Sequence, residues 1–269
     1  MTDSPKGPFS ELDEYAPAEI ARRIENVGVA KANLTALQTS TLGVLAGAFI
    51  ALGAAFFTLV MTGAEAGLGP GRLLGGIAFS LGLILVVVAG AELFTGNNLI
   101  VMAWAERRIS TRLLLRNWIL VYLANFVGAI GTAILVYLSG TLEIGGGEVR
   151  ETALAIARGK TALSFVDAFF RGVLCNVLVC LAVWVSAGAR RVSGKILAIV
   201  FPIAAFVALG FEHSVANMYF IPLAMMEAWG DPALTVGGFV GNLVPVTLGN
   251  IVGGSALVAL VYWIIYLRD

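Results

Sequence analysis

Between residues 41 and 266 this chain offers water little to dissolve. Six apolar stretches lie near 41–62, 73–105, 114–139, 163–187, 194–228 and 236–266. Each has roughly 20 residues or more, the length an apolar helix needs to cross a bilayer. No other feature limits the fold as much, because a chain in hydrocarbon must satisfy its backbone internally. Composition agrees: 59% of the 269 residues are hydrophobic and 13% are charged, against about 45–50% and 25% in soluble domains. The formal net charge is zero, which gives nucleic acid no electrostatic hold. The expected fold is an all-α membrane protein with six transmembrane helices.

Two stretches, the second and the fifth, are longer than one crossing requires. Each has a polar interruption, around 92–98 and 210–217. In the first, Glu92 and a Thr-Gly-Asn-Asn run sit inside apolar sequence, where a helix interior would not choose them. Residues 1–40 read instead as a polar N-terminal segment. It lacks the apolar core of a signal peptide and carries an amphipathic, surface-lying helix at 16–35 with Ile20, Ile24, Val27 and Val29 among charges. Residues 41–269 form the membrane domain. Positive charge orients it: Arg107, Arg108, Arg112 and Arg116 follow the second span, and Arg190, Arg191 and Lys195 follow the fourth. Both loops, and so both termini, are expected on the cytoplasmic side of the cell's inner membrane. The 140–162 segment, with mixed charges, reads as a long loop on the other side.

The chain repeats itself. GAELFTGN (90–97) and GFEHSVAN (210–217) share Gly, Glu and Asn in register, and NFVGAIGTAILVYL (125–138) aligns with NIVGGSALVALVYW (250–263). This defines halves of about 41–140 and 160–266 with three spans each. An odd number of spans makes the second half enter the membrane inverted. Inverted repeats with breaks at matching places point to a substrate path near the midplane. Helices restarting after each break aim their positive ends at the gap, which favours an anion there, and Thr95 and Ser214 can add hydroxyl donors.

The stretches FSLGLILVVVAGAELFTGN, NWILVYLANFVGA, RGVLCNVLVCLAVW, FVALGFEHSVANMYFIP and NLVPVTLGNIVGG resemble the formate/nitrite transporter family over about 28–266. The resemblance implies an aquaporin-like fold, a homopentamer with a pore in each subunit, and transport of small monovalent weak-acid anions. It implies that His213, the chain's single histidine, is the central pore residue, that Thr95 faces it, and that Asn176 and Asn250 lie near that centre. Phe79, Leu83, Leu93 and Phe206 match the family's hydrophobic constrictions. Lys31 matches a position near the cytoplasmic mouth, where a solvated charge is expected.

Other residues carry readings of their own. Glu92 and Glu212 are equivalent by the repeat, and a bare carboxylate at midplane is costly, so both are expected to cap backbone N–H groups of the loops. Arg171 either pairs with Asp167 one turn earlier and snorkels outward, or collects anions in the outer vestibule. Cys175 and Cys180 read as inert core thiols. A histidine able to hold a proton near neutrality, between apolar constrictions that disfavour a bare anion, admits both proton-coupled flux and plain conduction. The FTGNN, NMYFIP and LVPVT runs look nearer the formate branch. Nitrite, hydrosulfide, acetate and lactate are the alternatives. A water or polyol channel lacks its paired Asn-Pro-Ala boxes here. An enzyme or metal site lacks a nucleophile–base pair or ligand cluster, and no cofactor is expected.

Overall fold

The computed structural model describes residues 14–63 and 68–268, and every described element is helical. The expected N-terminal segment falls outside the described residues up to position 13. The chain opens with α1 (Pro17–Ala32), followed by α2 (Ala36–Met61) and α3 (Leu68–Leu85), which widens into a π-turn over Val86–Gly90. A 3₁₀ turn (Gly96–Ile100) and the short α4 (Val101–Ala105) lead into α5 (Thr111–Leu138). The second half runs through α6 (Glu148–Thr161), α7 (Phe165–Gly188), α8 (Val192–Ala208) and α9 (Ser214–Glu227). It ends with α10 (Val236–Ile251), which continues through Val252–Leu260 into α11 (Val261–Tyr266).

Among the described residues, five helices are long and apolar enough to span a membrane: Ala36–Met61, Leu68–Gly90, Thr111–Leu138, Phe165–Gly188 and Val236–Tyr266. The expected fifth span is interrupted where its polar stretch lies, giving two helices, α8 and α9, separated at Leu209–His213. Both interruptions arise the same way. Gly90 and Gly210 take positive φ (83° and 72°), a conformation that glycine alone adopts at little cost. Beyond each glycine the next N–H reaches back across the turn, Ala91 to Val86 O and Phe211 to Phe206 O. This glycine-terminated cap satisfies carbonyls that hydrocarbon could not.

Two sequence expectations need correction. The 140–162 segment is not a loop. A 3₁₀ turn (Thr141–Gly147) leads into α6, which buries Val149, Ala153, Leu154 and Ala157 on one face. Glu148 and Glu151 in its first turn and Arg158 and Lys160 in its last suit the helix dipole, a signal that charge mixing concealed. Nor does α1 simply lie on a surface. It buries Ile20, Ala21, Ile24 and Gly28 and packs against the 3₁₀ turn, α4 and α7. Arg108 bonds Glu25 at 2.8 Å, and Glu14 accepts the Arg190 N–H at 3.0 Å. With Trp263 donating to Glu106 at 2.7 Å, α1, both arginine-rich loops and the C-terminal helix gather at one end.

Ser or Thr caps start the long helices: Thr35, Ser110, Ser164 and Thr235 each accept a backbone N–H. Extensive contacts join α2 with α5, and α7 with α10 and its continuation. Both depend on glycine. A Cβ on Gly128 would collide with the Val44 carbonyl, and one on Gly253 with the Val173 carbonyl. Small residues bring helix backbones together where the lipid supplies no hydrophobic drive. Gly128→Ala should therefore destabilise the detergent-solubilised protein by about 1–3 kcal/mol, as overpacking does. Gly131→Ala, where a Cβ meets nothing, should leave the thermal unfolding midpoint unchanged or raised.

Candidate functional site

The breaks face each other. Thr95, at the end of the first, and His213, at the end of the second, meet through Oγ1 and Nε2 at 2.9 Å. Both are buried. His213 is also the N-cap of α9, where its Nδ1 accepts the Ala216 N–H at 3.1 Å. An accepting Nδ1 carries no proton, so the neutral ring is protonated at Nε2 and donates to Thr95 Oγ1. The Thr95 hydroxyl proton is then free for another acceptor. Ser214 is buried beside them, and its hydroxyl has no partner among the described residues.

Two asparagines hold the breaks in place. Asn125 of α5 donates to Gly43 O (2.8 Å) and Glu92 O (2.9 Å) and accepts the Phe94 N–H (2.9 Å). Asn250 of α10 does the same in the second half: it donates to Gly172 O (2.8 Å) and Glu212 O (3.0 Å) and accepts the Ser214 N–H (3.0 Å). Asn176 donates to Thr95 O (3.2 Å) and Asn250 O (2.6 Å). Asn176 and Asn250 thus bind loop and helix backbone, with no bond to the His213 ring among the described residues. Asn125 is a site residue that the sequence reading passed over, although its alignment with Asn250 was visible.

The carboxylates also differ from expectation. Glu92 and Glu212, each 4% exposed, accept no backbone N–H among the described residues. Each pairs with a lysine instead: Glu92 with Lys31 and Glu212 with Lys160, both at 2.9 Å. The second oxygen of each takes an asparagine amide at 2.7 Å, from Asn97 and Asn217. Those asparagines donate in turn to Asn117 (2.9 Å) and Asn242 (2.7 Å). Pairing is the reason: a buried carboxylate without a counter-charge costs more than an unsatisfied N–H. Lys31 is therefore not a free solvated charge. It also donates to Asn97 Oδ1 at 2.9 Å, whereas Asn217 Oδ1 receives no donor among the described residues. Lys160 was missed because its segment read as a loop.

Two cavities approach this centre. One, of about 430 Å³, is lined by Leu83, Leu93, Lys31, Glu92, Arg23 and Lys195. The other, of about 340 Å³, is lined by Phe79, Phe206, His213, Lys160, Arg72 and Arg171. The four expected constriction residues are all buried, two per cavity. Phe79 and Phe206 meet edge to face with centroids 5.7 Å apart, and Phe206 stacks on the His213 ring at 6.1 Å. Arg171 does not pair with Asp167, whose carboxylate receives the Ser164 hydroxyl at 2.7 Å in the α7 cap. Arg171 turns instead to Gly210 O at 3.5 Å.

The family model described as formate/nitrite transporter matches residues 18–264. The formate channel FocA of Escherichia coli (strain K12) is 43% identical over 275 residues, covering 96% of each chain. The uncharacterized transporter YrhG of Bacillus subtilis (strain 168) is 43% identical over 253 residues, covering 93% of each. Among solved structures, a pentameric formate channel with formate bound superposes with a TM-score of 0.81 at 41% identity. That match covers 87% of this chain and 98% of the other.

The lysine pairing yields a direct test. Lys160→Met should destabilise the protein by about 3–5 kcal/mol by stranding Glu212. Adding Glu212→Gln should recover most of that loss in thermal unfolding. Equal stability of the single and double variants would show that the pair does not matter.

Proposed function

Because the chain belongs to the formate/nitrite transporter family, we propose that it carries formate across the membrane through a pore in each subunit. His213 and Thr95 stand at the centre of that pore. One observation carries the reading: the two broken spans end on side chains bonded to each other at 2.9 Å, between two cavities walled by Phe79, Phe206, Leu83 and Leu93.

The chemistry follows from these groups. Phe79 with Phe206, and Leu83 with Leu93, form apolar constrictions that strip water from an arriving anion. Between them the Thr95 hydroxyl and the His213 Nε2–H replace that water as donors. Lys31 and Lys160, paired to buried glutamates, keep positive charge beside each cavity without a full counter-ion deficit. His213 contributes mainly as a donor. To deliver a proton from Nε2 it would have to take one at Nδ1, which holds the Ala216 N–H, so proton coupling requires that cap to open. The pathway is a transport site with no chemical step, and we assign no enzymatic activity.

The fold reading extends this. We take the chain as six spans in two inverted halves, with α8 and α9 making up the fifth. The support is the recurrence of the same asparagine and lysine–glutamate bonds in both halves. The end that gathers α1, the arginine-rich loops and α11 is assigned to the cytoplasm by its positive charge, in the inner membrane. Exposed apolar residues such as Phe201, Leu135 and Val127 need lipid or neighbouring subunits around them. A homopentamer fits the likeness to a pentameric channel.

Formate uptake into proteoliposomes, with a pH dye trapped inside and nitrite run in parallel, tests the proposal. Wild type should move formate. His213→Asn keeps an N-cap and an amide donor but cannot titrate. It should retain most of the formate flux, while His213→Ala, which loses cap and donor, should fall by tenfold or more, roughly the effect of one lost buried hydrogen bond. Formate flux absent from wild type would end the substrate assignment. Proton co-entry abolished in His213→Asn would show that the ring carries the proton.

A further inference from the structure

The cavity beside His213 holds two charges that the pore reading leaves unused. Arg72 of α3 and Arg171 of α7 approach Gly210 from different helices. A Cβ built on Gly210 would lie 2.7 Å from Arg72 Nη2 and 3.9 Å from Arg171 Nη1. Both guanidiniums thus come within 4 Å of one point. Neither makes an ion pair among the described residues. Among the described residues, Asp167 is engaged with Ser164, and Glu212 with Lys160 and Asn217. Arg171 has only its long contact to Gly210 O.

Like charges this close repel, less than in a dry site, since Arg171 is exposed and Arg72 half-buried. Side chains as long as arginine could splay apart into solvent, yet these two converge on a cavity that also reaches Phe79, Phe206 and His213. The planar guanidinium fork matches the paired oxygens of a carboxylate or a tetrahedral oxyanion. An anion placed between them would relieve the repulsion and fill both forks.

We infer that Arg72 and Arg171 form a second anion site, a two-guanidinium clamp for small oxyanions at the mouth of this cavity, ahead of the apolar constriction. It rests on the proposed pore in one respect: the clamp loads the path that ends at His213. A monovalent carboxylate held there is released inward as it sheds water. A divalent oxyanion fits the forks better but cannot pass Phe79 and Phe206, so it lodges and blocks.

Inorganic sulfate is the probe. In proteoliposomes, external sulfate should inhibit formate uptake by the copies that expose this cavity. Sulfate sensitivity should drop at least tenfold in the Arg72→Leu/Arg171→Leu double variant. Each single variant should raise the half-saturating formate concentration about fivefold, the size of one solvent-exposed charge contact, and added salt should shrink that shift. Arg171→Lys, which keeps charge but not the fork, should restore formate affinity more fully than sulfate block. Sulfate that spares wild type, or blocks the double variant equally, overturns the clamp. Sulfate binding measured by thermal shift on purified protein separates this inference from the pore. If formate does not move but sulfate stabilises wild type and not the double variant, the clamp stands and the substrate assignment falls. If formate moves and sulfate stabilises neither, the clamp falls alone.

Discussion

A helix that stops inside a membrane must find internal partners for the backbone groups it frees, and the architecture here is organised around that demand. Asn125 and Asn250 meet it. Each uses one short side chain to tie a broken span to two neighbouring helices, through two donated bonds and one accepted bond. An amide suits the task because it offers donors and an acceptor in one plane without bringing a charge. The glycines at Gly90 and Gly210 set where each helix ends, and the close α2–α5 and α7–α10 packing sets the asparagines within reach. Without the staples, the freed loop N–H groups would compete with the Thr95 and His213 donors for an arriving anion.

The charges obey the same demand. A glutamate follows each stapled turn, and neither is left bare. Lysines from α1 and α6 reach in to pair with them, which explains why two amphipathic helices outside the expected spans are integral to the site. Buried pairs of this kind stabilise a fold less than their attraction suggests, but breaking one is expensive. Their value here is positional. They keep positive potential beside the path while the carboxylates are neutralised locally.

Much of this was legible in the residues. Membrane-length apolar runs, the two interruptions and the GAELFTGN–GFEHSVAN match mark the two breaks that come together. Thr95 and His213 do meet, and the four apolar wall residues do line the two cavities. What escaped notice shares one cause: it depended on which distant group comes near. Glu92 was read as a loop cap because nothing in its own stretch of sequence names Lys31 as a partner. Lys160 lay in a segment whose mixed charges looked like a loop, though their order along α6 matched a helix dipole. Asn97 and Asn217 closed the repeated motif in plain sight, but their role as intermediaries required the third dimension.

The two halves match in their staples yet differ in one bond. Lys31 holds two acceptors, Glu92 and Asn97, while among the described residues Lys160 hydrogen-bonds Glu212 only, lies over the Phe220 ring at 5.3 Å, and leaves Asn217 Oδ1 over. A scaffold with near twofold pseudo-symmetry therefore encloses a free-energy profile that need not be symmetric. Lys160 trades one hydrogen-bond acceptor for an aromatic face, so the wells on the two sides differ in chemistry. Microscopic reversibility limits what such a tilt can do. It cannot push net flux uphill or choose a direction without a gradient. It can only decide where along the path an ion dwells, and hence which face of the membrane governs saturation.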